Sequence, residues 1–278
     1  MSAATRVCSV VILTLLLPWT PASGQSVQAV VDQMYDALER HSDGVDNYTV
    51  VQSVMGFETV TYFEKEVVDG RPVFMVRETR GGGSAMSSEE MAFGDITALG
   101  SDLVDHGRYA GREQVDGREV HVIAIDDLTQ LDFAAPSGPE EMEFVAKSGR
   151  IFVDAEMGIP RRMTFDGQAT TPSGVHDVTT TVDLRDYREV ESLLVPYLSV
   201  VSIEGIEAMI DPEMQAQYEE MRRQLESLPE SQRAMFEQMM GAQMEQIERM
   251  MAGDDGPMTM EITVTEVRVN AGPPGADH

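Results

Sequence analysis

Residues 149–205 read GRIFVDAEMGIPRRMTFDGQATTPSGVHDVTTTVDLRDYREVESLLVPYLSVVSIEG, and the reading of this stretch decides the fold. Apolar and polar residues alternate through four segments, at about 150–154, 161–169, 176–187 and 195–204. A period of two puts every second side chain on one face, which is the signature of a strand with one buried side. The breaks between the segments are short and rich in turn-forming residues. They are too short for the crossover that parallel strands require, so neighbours run antiparallel.

The same pattern extends outward in both directions. Further strands are predicted at about 48–55, 58–67, 71–79, 108–114 and 118–125, and a last one at 258–269. Asp69-Gly70 and Asp116-Gly117 are strong two-residue hairpin turns, and Gly56 separates the first two strands. Residues 80–88 form a Gly/Ser loop, and 126–148 read as an irregular excursion with a helical turn near 128–133. Over residues 26–41, Val27, Val30, Val31, Met34, Tyr35 and Leu38 recur at spacings of three and four, giving a helix with one apolar face. A short helical stretch is expected at about 96–103. No segment repeats at a solenoid period. The expected class is mainly β with helices (α+β): one curved antiparallel sheet of about ten strands, with helices covering one side.

Between the last two strands lies an insertion, residues 211–253, that holds eight of the chain's 20 methionines. Asp211-Pro212-Glu213 is a good helix start, with a capping carboxylate, proline at the first position and an acid in the first turn. The first helix carries Met214, Tyr218, Met221, Leu225 and Leu228 as a narrow stripe. A second helix carries Phe236, Met240, Met244, Ile247 and Met251, with Met235, Met239 and Met250 beside it. Methionine is unbranched and polarizable, so such a surface moulds itself to irregular apolar partners. The hairpin is then an adaptable cover over an apolar cavity or a docking arm, and ordinary core packing explains the same spacing equally well.

The first 24 residues have the form of an export signal: Arg6 as the only charge, an apolar run at 7–17, and Ala22-Ser23-Gly24 before Gln25. Cys8, the only cysteine, lies inside the apolar run, so no lipid anchor on a mature N-terminal cysteine is expected. The reading is an exported, periplasmic, soluble chain without disulfide, zinc–thiolate site or thiol nucleophile. The net charge of −28 becomes −29 without Arg6, which repels phosphate backbones and argues against nucleic acid as a partner.

Short catalytic signatures are missing: the sequence has no nucleophile elbow and no P-loop, and its five histidines are scattered. No cofactor is implied. One metal idea survives, since thioether sulfur suits Cu(I) and Met235, Met239, Met240 and Met244 recur on successive turns, although no histidine accompanies them.

Gly149-Arg150-Ile151-Phe152-Val153-Asp154 followed by Gly158-Ile159-Pro160-Arg161-Arg162-Met163 resembles a strand–turn–strand of the LolA/LolB-like superfamily of exported lipoprotein and lipid carriers. The likeness continues through 179–183, 186–190, 194–197 and the closing 264–270, about a quarter of the chain. Glu191-Ser192 stands where Asp-Gly would make a tight turn, which predicts a looser hairpin there. The resemblance implies a half-barrel over residues 25–270, with 211–253 inserted and 271–278 as a tail. It also implies a non-enzymatic carrier whose helices close an apolar cavity over a lipid or lipoprotein acyl chain. Cavity-wall candidates, taken from apolar positions of the predicted strands, are Met75, Met163, Phe165, Val182, Leu184 and Tyr197, with Met235, Met239 and Met240 as the cover. The alternative is an interaction or sensor protein that docks a membrane-associated partner through the Met-rich hairpin.

Overall fold

The computed structural model describes residues 25–54, 56–68, 70–81, 99–131, 143–171, 174–205, 212–227, 229 and 256–274. Ten strands form one antiparallel sheet: β1 (Asn47–Val54), β2 (Phe57–Val68), β3 (Arg71–Gly81), β4 (Gly107–Val115), β5 (Arg118–Ile125), β6 (Glu143–Asp154), β7 (Pro160–Thr171), β8 (Gly174–Val190), β9 (Leu193–Glu204) and β10 (Met258–Val269). Among the described residues the helices are α1 (Val27–Arg40), α2 (Gly100–His106) and α3 (Pro212–Ser227), with a 3-10 turn at Leu128–Gln130.

The turn chemistry acts as its residues dictate. Val115 pairs directly with Arg118 across Asp116-Gly117, both at positive φ, +49° and +76°. That is the two-residue turn whose twist matches the strands it joins. The β8–β9 hairpin is not looser: Val190 pairs with Leu193 across Glu191-Ser192, and Glu191 itself takes the left-handed conformation at φ +58°. A non-glycine residue is strained there. The two long strands it joins outweigh that local cost.

Sheet order is β3-β2-β1-β10-β9-β8-β7-β6-β5-β4. The last strand slots beside the first, Tyr48 opposite Val269 and Val54 opposite Ile262, so β3 and β4 become the two edges. The chain therefore crosses from one edge to the other between β3 and β4, where hairpin succession would have kept them neighbours. At about 4.8 Å per strand, a flat sheet of this size would be roughly 43 Å wide. Yet α1, one helix about 10–12 Å across, touches β3 on one side and α2 and β4 on the other. The sheet must curl until its edges approach a common helix, which makes it an open half-barrel.

Two boundaries differ from the sequence reading. β6 begins at Glu143 rather than near Arg150, and pairs with β7 from Glu143–Thr170 onward across a bulge between Ala146 and Ser148. The polar run Lys147-Ser148-Gly149 hides this strand locally, and pairing with β7 recovers it. The short helix is α2 at Gly100–His106, a turn later than expected.

α1 is held in place by its apolar face. Ser26 caps it, its Oγ accepting from the Ala29 N–H at 3.2 Å. Val30, Val31 and Met34 are 0–2% exposed against Ile123, Ile151, Val153, Met163, Phe165, Val182, Val201 and Ile262 of the sheet. Each such side chain contributes about 1.5–3 kcal/mol relative to exposure. Arg and acid side chains pair across strands elsewhere. Arg162 and Asp183, directly opposite on β7 and β8, meet at 2.5 Å, and Arg185 also reaches Asp183 at 3.0 Å.

Candidate ligand-binding site

A cavity of about 240 Å³ lies between the C-terminal half of α1 and the sheet. Met34, Ala37 and Leu38 come from the helix, Gly158, Ile159 and Pro160 from the β6–β7 turn, and Leu193 to Pro196 from the start of β9. The strands supply Tyr48, Val50, Phe63, Phe74, Met163, Leu184, Ile262 and Val264. Its polar lining is His41, Gln52, Thr61, Tyr187 and Ser199; among the described residues, no Lys, Arg, Asp or Glu lines it.

The aromatic wall is built by strand alternation. Tyr48 and Phe63 are register partners on β1 and β2, with rings stacked at 4.6 Å, and Phe74 meets Tyr48 edge-on at 4.9 Å. Such pairs add about 0.5–1.5 kcal/mol beyond the area they bury. Lys65 closes this corner, with its ammonium 5.4 Å from the Phe74 ring centre and donating to the Ser42 carbonyl at 2.7 Å.

The helix over the cavity is fastened along its length. Gln33 donates to the Ala155 carbonyl at 2.9 Å and Arg40 to that of Met157 at 3.3 Å. Arg71 pairs with Asp32 at 2.5 Å and lies 4.4 Å from the Tyr35 ring centre. The hydrogen bond from Arg71 holds the Asp32 carboxyl below its ordinary range. The Ser192 hydroxyl ties the β8–β9 turn to the Asp43 carbonyl at 2.6 Å.

The β6–β7 turn is organised by Asp154, which is 1% exposed. Its carboxylate accepts from the Glu156 and Met157 N–H groups at 3.0 Å each and from Arg161 at 3.1 Å. Burial pushes this carboxyl up, but the Met157 and Glu156 N–H bonds and Arg161 outweigh it, and the net shift is downward. Tyr187 donates its hydroxyl to the Pro160 carbonyl, and Arg161 sits 4.9 Å from its ring centre. Burial drives the Tyr187 hydroxyl well above its usual range, so it stays a neutral donor.

Of the residues singled out from sequence, Met163 and Leu184 line the cavity. Phe165 and Val182 are 7% and 0% exposed in the core beneath α1, and Met75 packs against the same core. Tyr197 packs against the apolar cluster of Val50, Phe63, Phe74, Leu193 and Val264, with the Arg188 guanidinium 4.4 Å from its ring centre. Met235, Met239, Met240 and Met244 lie outside the described residues, as do the rest of the segment predicted to form the second insertion helix and residues 1–24. α3 begins at Pro212, as the capping pattern predicts, with Tyr218, Met221 and Leu225 half-buried. Sequence reading missed Tyr48, Phe63, Phe74, Val195 and Val264. Their alternation is visible, but which face is inside follows from the pairing of β1 with β10. No described helix is long and apolar enough to cross a membrane. Among the described residues no cluster of His, Cys, Asp and Glu has the makings of a metal site.

Sheet, helix and cavity together define an antiparallel half-barrel with a partly open apolar pocket beneath α1. Among solved structures, the chain is similar to a putative outer membrane lipoprotein-sorting protein domain from Vibrio parahaemolyticus. The TM-score is 0.40 at 8% identity, covering 91% of this chain and 97% of that one. It is also similar to a DUF1329 family protein from Desulfovibrio piger, with TM-score 0.39 at 11% identity over 90% and 95%. A LolA superfamily protein from Nitrosomonas europaea gives 0.33 at 8% identity over 90% and 96%. No family model matches the sequence, and no curated protein does.

Proposed function

We propose that the protein is an exported, non-enzymatic carrier that holds a single apolar chain, such as the acyl chain of a lipid or lipoprotein, between α1 and the sheet. The observation that carries this reading is the cavity itself: aliphatic and aromatic walls, no Lys, Arg, Asp or Glu among the described lining residues, and a fastened helix as its roof. Its volume, about 240 Å³, is below the roughly 300–1,000 Å³ typical of pockets for drug-sized ligands, so one acyl segment fits rather than a whole lipid. Each methylene buried there contributes about 0.8 kcal/mol, so a part-chain suffices for micromolar affinity after association costs.

Native mass spectrometry of the full chain, purified from its exported compartment without detergent, tests the proposal. Added mass that dissociates as lipid or acylated peptide supports it. A delipidated protein that takes up neither fatty acids, phospholipids nor acylated peptides sinks it.

A further inference from the structure

Three threonine hydroxyls, those of Thr59, Thr61 and Thr79, are shielded from solvent and have no hydrogen-bond partner among the described residues. Buried polar groups without partners are rare, and each calls for a missing one. These three are neighbours. Thr61 of β2 lies directly opposite Thr79 of β3, and Thr59, two residues from Thr61, lies directly opposite Gln52 of β1. Register partners and residues two apart share a face, so all four side chains project from one side of three adjacent strands. That side is the cavity's, because Gln52 and Thr61 both line it. Thr61 is 2% exposed and Thr59 0%.

We infer that this patch is a polar subsite within the cavity, which selects ligands carrying a neutral oxygen, a hydroxyl or ester carbonyl, at the end of the apolar chain. The inference rests on the apolar-ligand reading of the cavity and adds to it a choice among ligands. Thr61 supplies a hydroxyl that both donates and accepts, and the Gln52 carboxamide reaches the same point from the diagonal position on β1. Thr59 and Thr79 flank Thr61 on the same face. The charge is decided by what is missing from the lining. With neither lysine nor arginine among the described lining residues, and His41 at the α1 C-cap rather than on these strands, a carboxylate at the patch would lose its water without a lysine or arginine to compensate. A neutral oxygen carries a much smaller desolvation cost and gives the Thr61 hydroxyl, the one of the three on the cavity lining, the partner it lacks.

The test is displacement of the neutral fluorescent probe N-phenyl-naphthylamine from the delipidated full chain by octanol and by octane. These ligands share one chain length and differ by one hydroxyl. Octanol is expected to bind about tenfold tighter than octane, the equivalent of one good neutral hydrogen bond. In Thr61→Val combined with Gln52→Leu, that preference should fall to about twofold or less, with octane bound at least as tightly as by the parent because the lining becomes more apolar. Both exchanges nearly conserve volume, and an unfolding midpoint no lower than that of the parent confirms an intact fold. Equal displacement by octanol and octane in the parent overturns the subsite and leaves the apolar-ligand reading standing. A preference that survives in the double variant also overturns it. Displacement by neither overturns the apolar-ligand reading, and this inference with it.

Discussion

Gly158→Ala separates two effects that the structure places at one atom. Gly158 sits in the β6–β7 turn at φ +73°, and a Cβ built on it would lie 2.5 Å from the Gln33 carbonyl oxygen and 3.1 Å from its carbon. Gln33 belongs to α1, so the methyl group would push against the backbone of the helix that roofs the cavity. The left-handed conformation costs an L residue about 1–2 kcal/mol. Forcing packed backbone apart by several tenths of an ångström adds about 1–3 kcal/mol, so a loss of roughly 3–4 kcal/mol is expected.

Gly117→Ala is the control. It has a similar φ of +76° with nothing within 4 Å of the added Cβ, so it should lose only the first contribution. Urea unfolding of both variants gives the comparison, and the difference between them isolates the contact with α1. Since α1 and Ile159–Pro160 line the cavity, Gly158→Ala should also weaken N-phenyl-naphthylamine binding, whereas Gly117→Ala should not. A Gly158→Ala variant no less stable than Gly117→Ala would refute the close seating of the turn on the helix.

Three further outcomes follow from single side chains. Asp154→Asn leaves Arg161 without its buried carboxylate, at a cost of about 3 kcal/mol. The folded Asp154 carboxyl is shifted below its ordinary 3.8, so in the parent this contribution is full above that value and is lost as pH falls through the folded pKa. Acid titration of the unfolding midpoint should show that loss in the parent and not in the variant. His121 is 2% exposed and hydrogen-bonded to the Tyr109 hydroxyl at 3.1 Å. Burial lowers its pKa, Arg112 reinforces that and Glu119 opposes it. Below 6.5 the unfolded chain binds a proton that the folded chain refuses, so stability declines as pH falls from that point, and His121→Gln should flatten the decline. Finally, Thr59→Val and Thr61→Val remove buried hydroxyls that have no partner among the described residues. Each should raise stability of the unliganded protein by about 1 kcal/mol in thermal or urea unfolding. Destabilisation by either would mean that its hydroxyl is satisfied in solution.

What the sequence determined by itself was local. Nine of the ten strands, and the second half of β6, fall within a few residues of where alternation places them, because a pleated strand with one buried face imposes its period of two on neighbouring residues. Asp116-Gly117 fixed the β4–β5 hairpin for the same reason: the turn's dihedral needs are met or refused by the two residues in it. Ser26 and the Val27–Leu38 spacing fixed α1 and its apolar face. Met163 and Leu184 were legible as apolar strand positions, but so were Phe165 and Val182, and nothing in their own neighbourhood distinguishes cavity wall from core.

That distinction, like the rest of the site, was left to tertiary structure. Pairing of β1 with β10, more than 200 residues apart, sets the sheet order and the edges. It also turns Tyr48, Val50 and Gln52 inward beside Val264. Pairing with β7 recruits Glu143 to Gly149 into β6 although those residues read as a loop. Only the curl of the whole sheet brings α1 against both edges and leaves space beneath one half of the helix and not the other. Register and curvature are properties of residues that meet from distant parts of the chain, so no local window of sequence contains them.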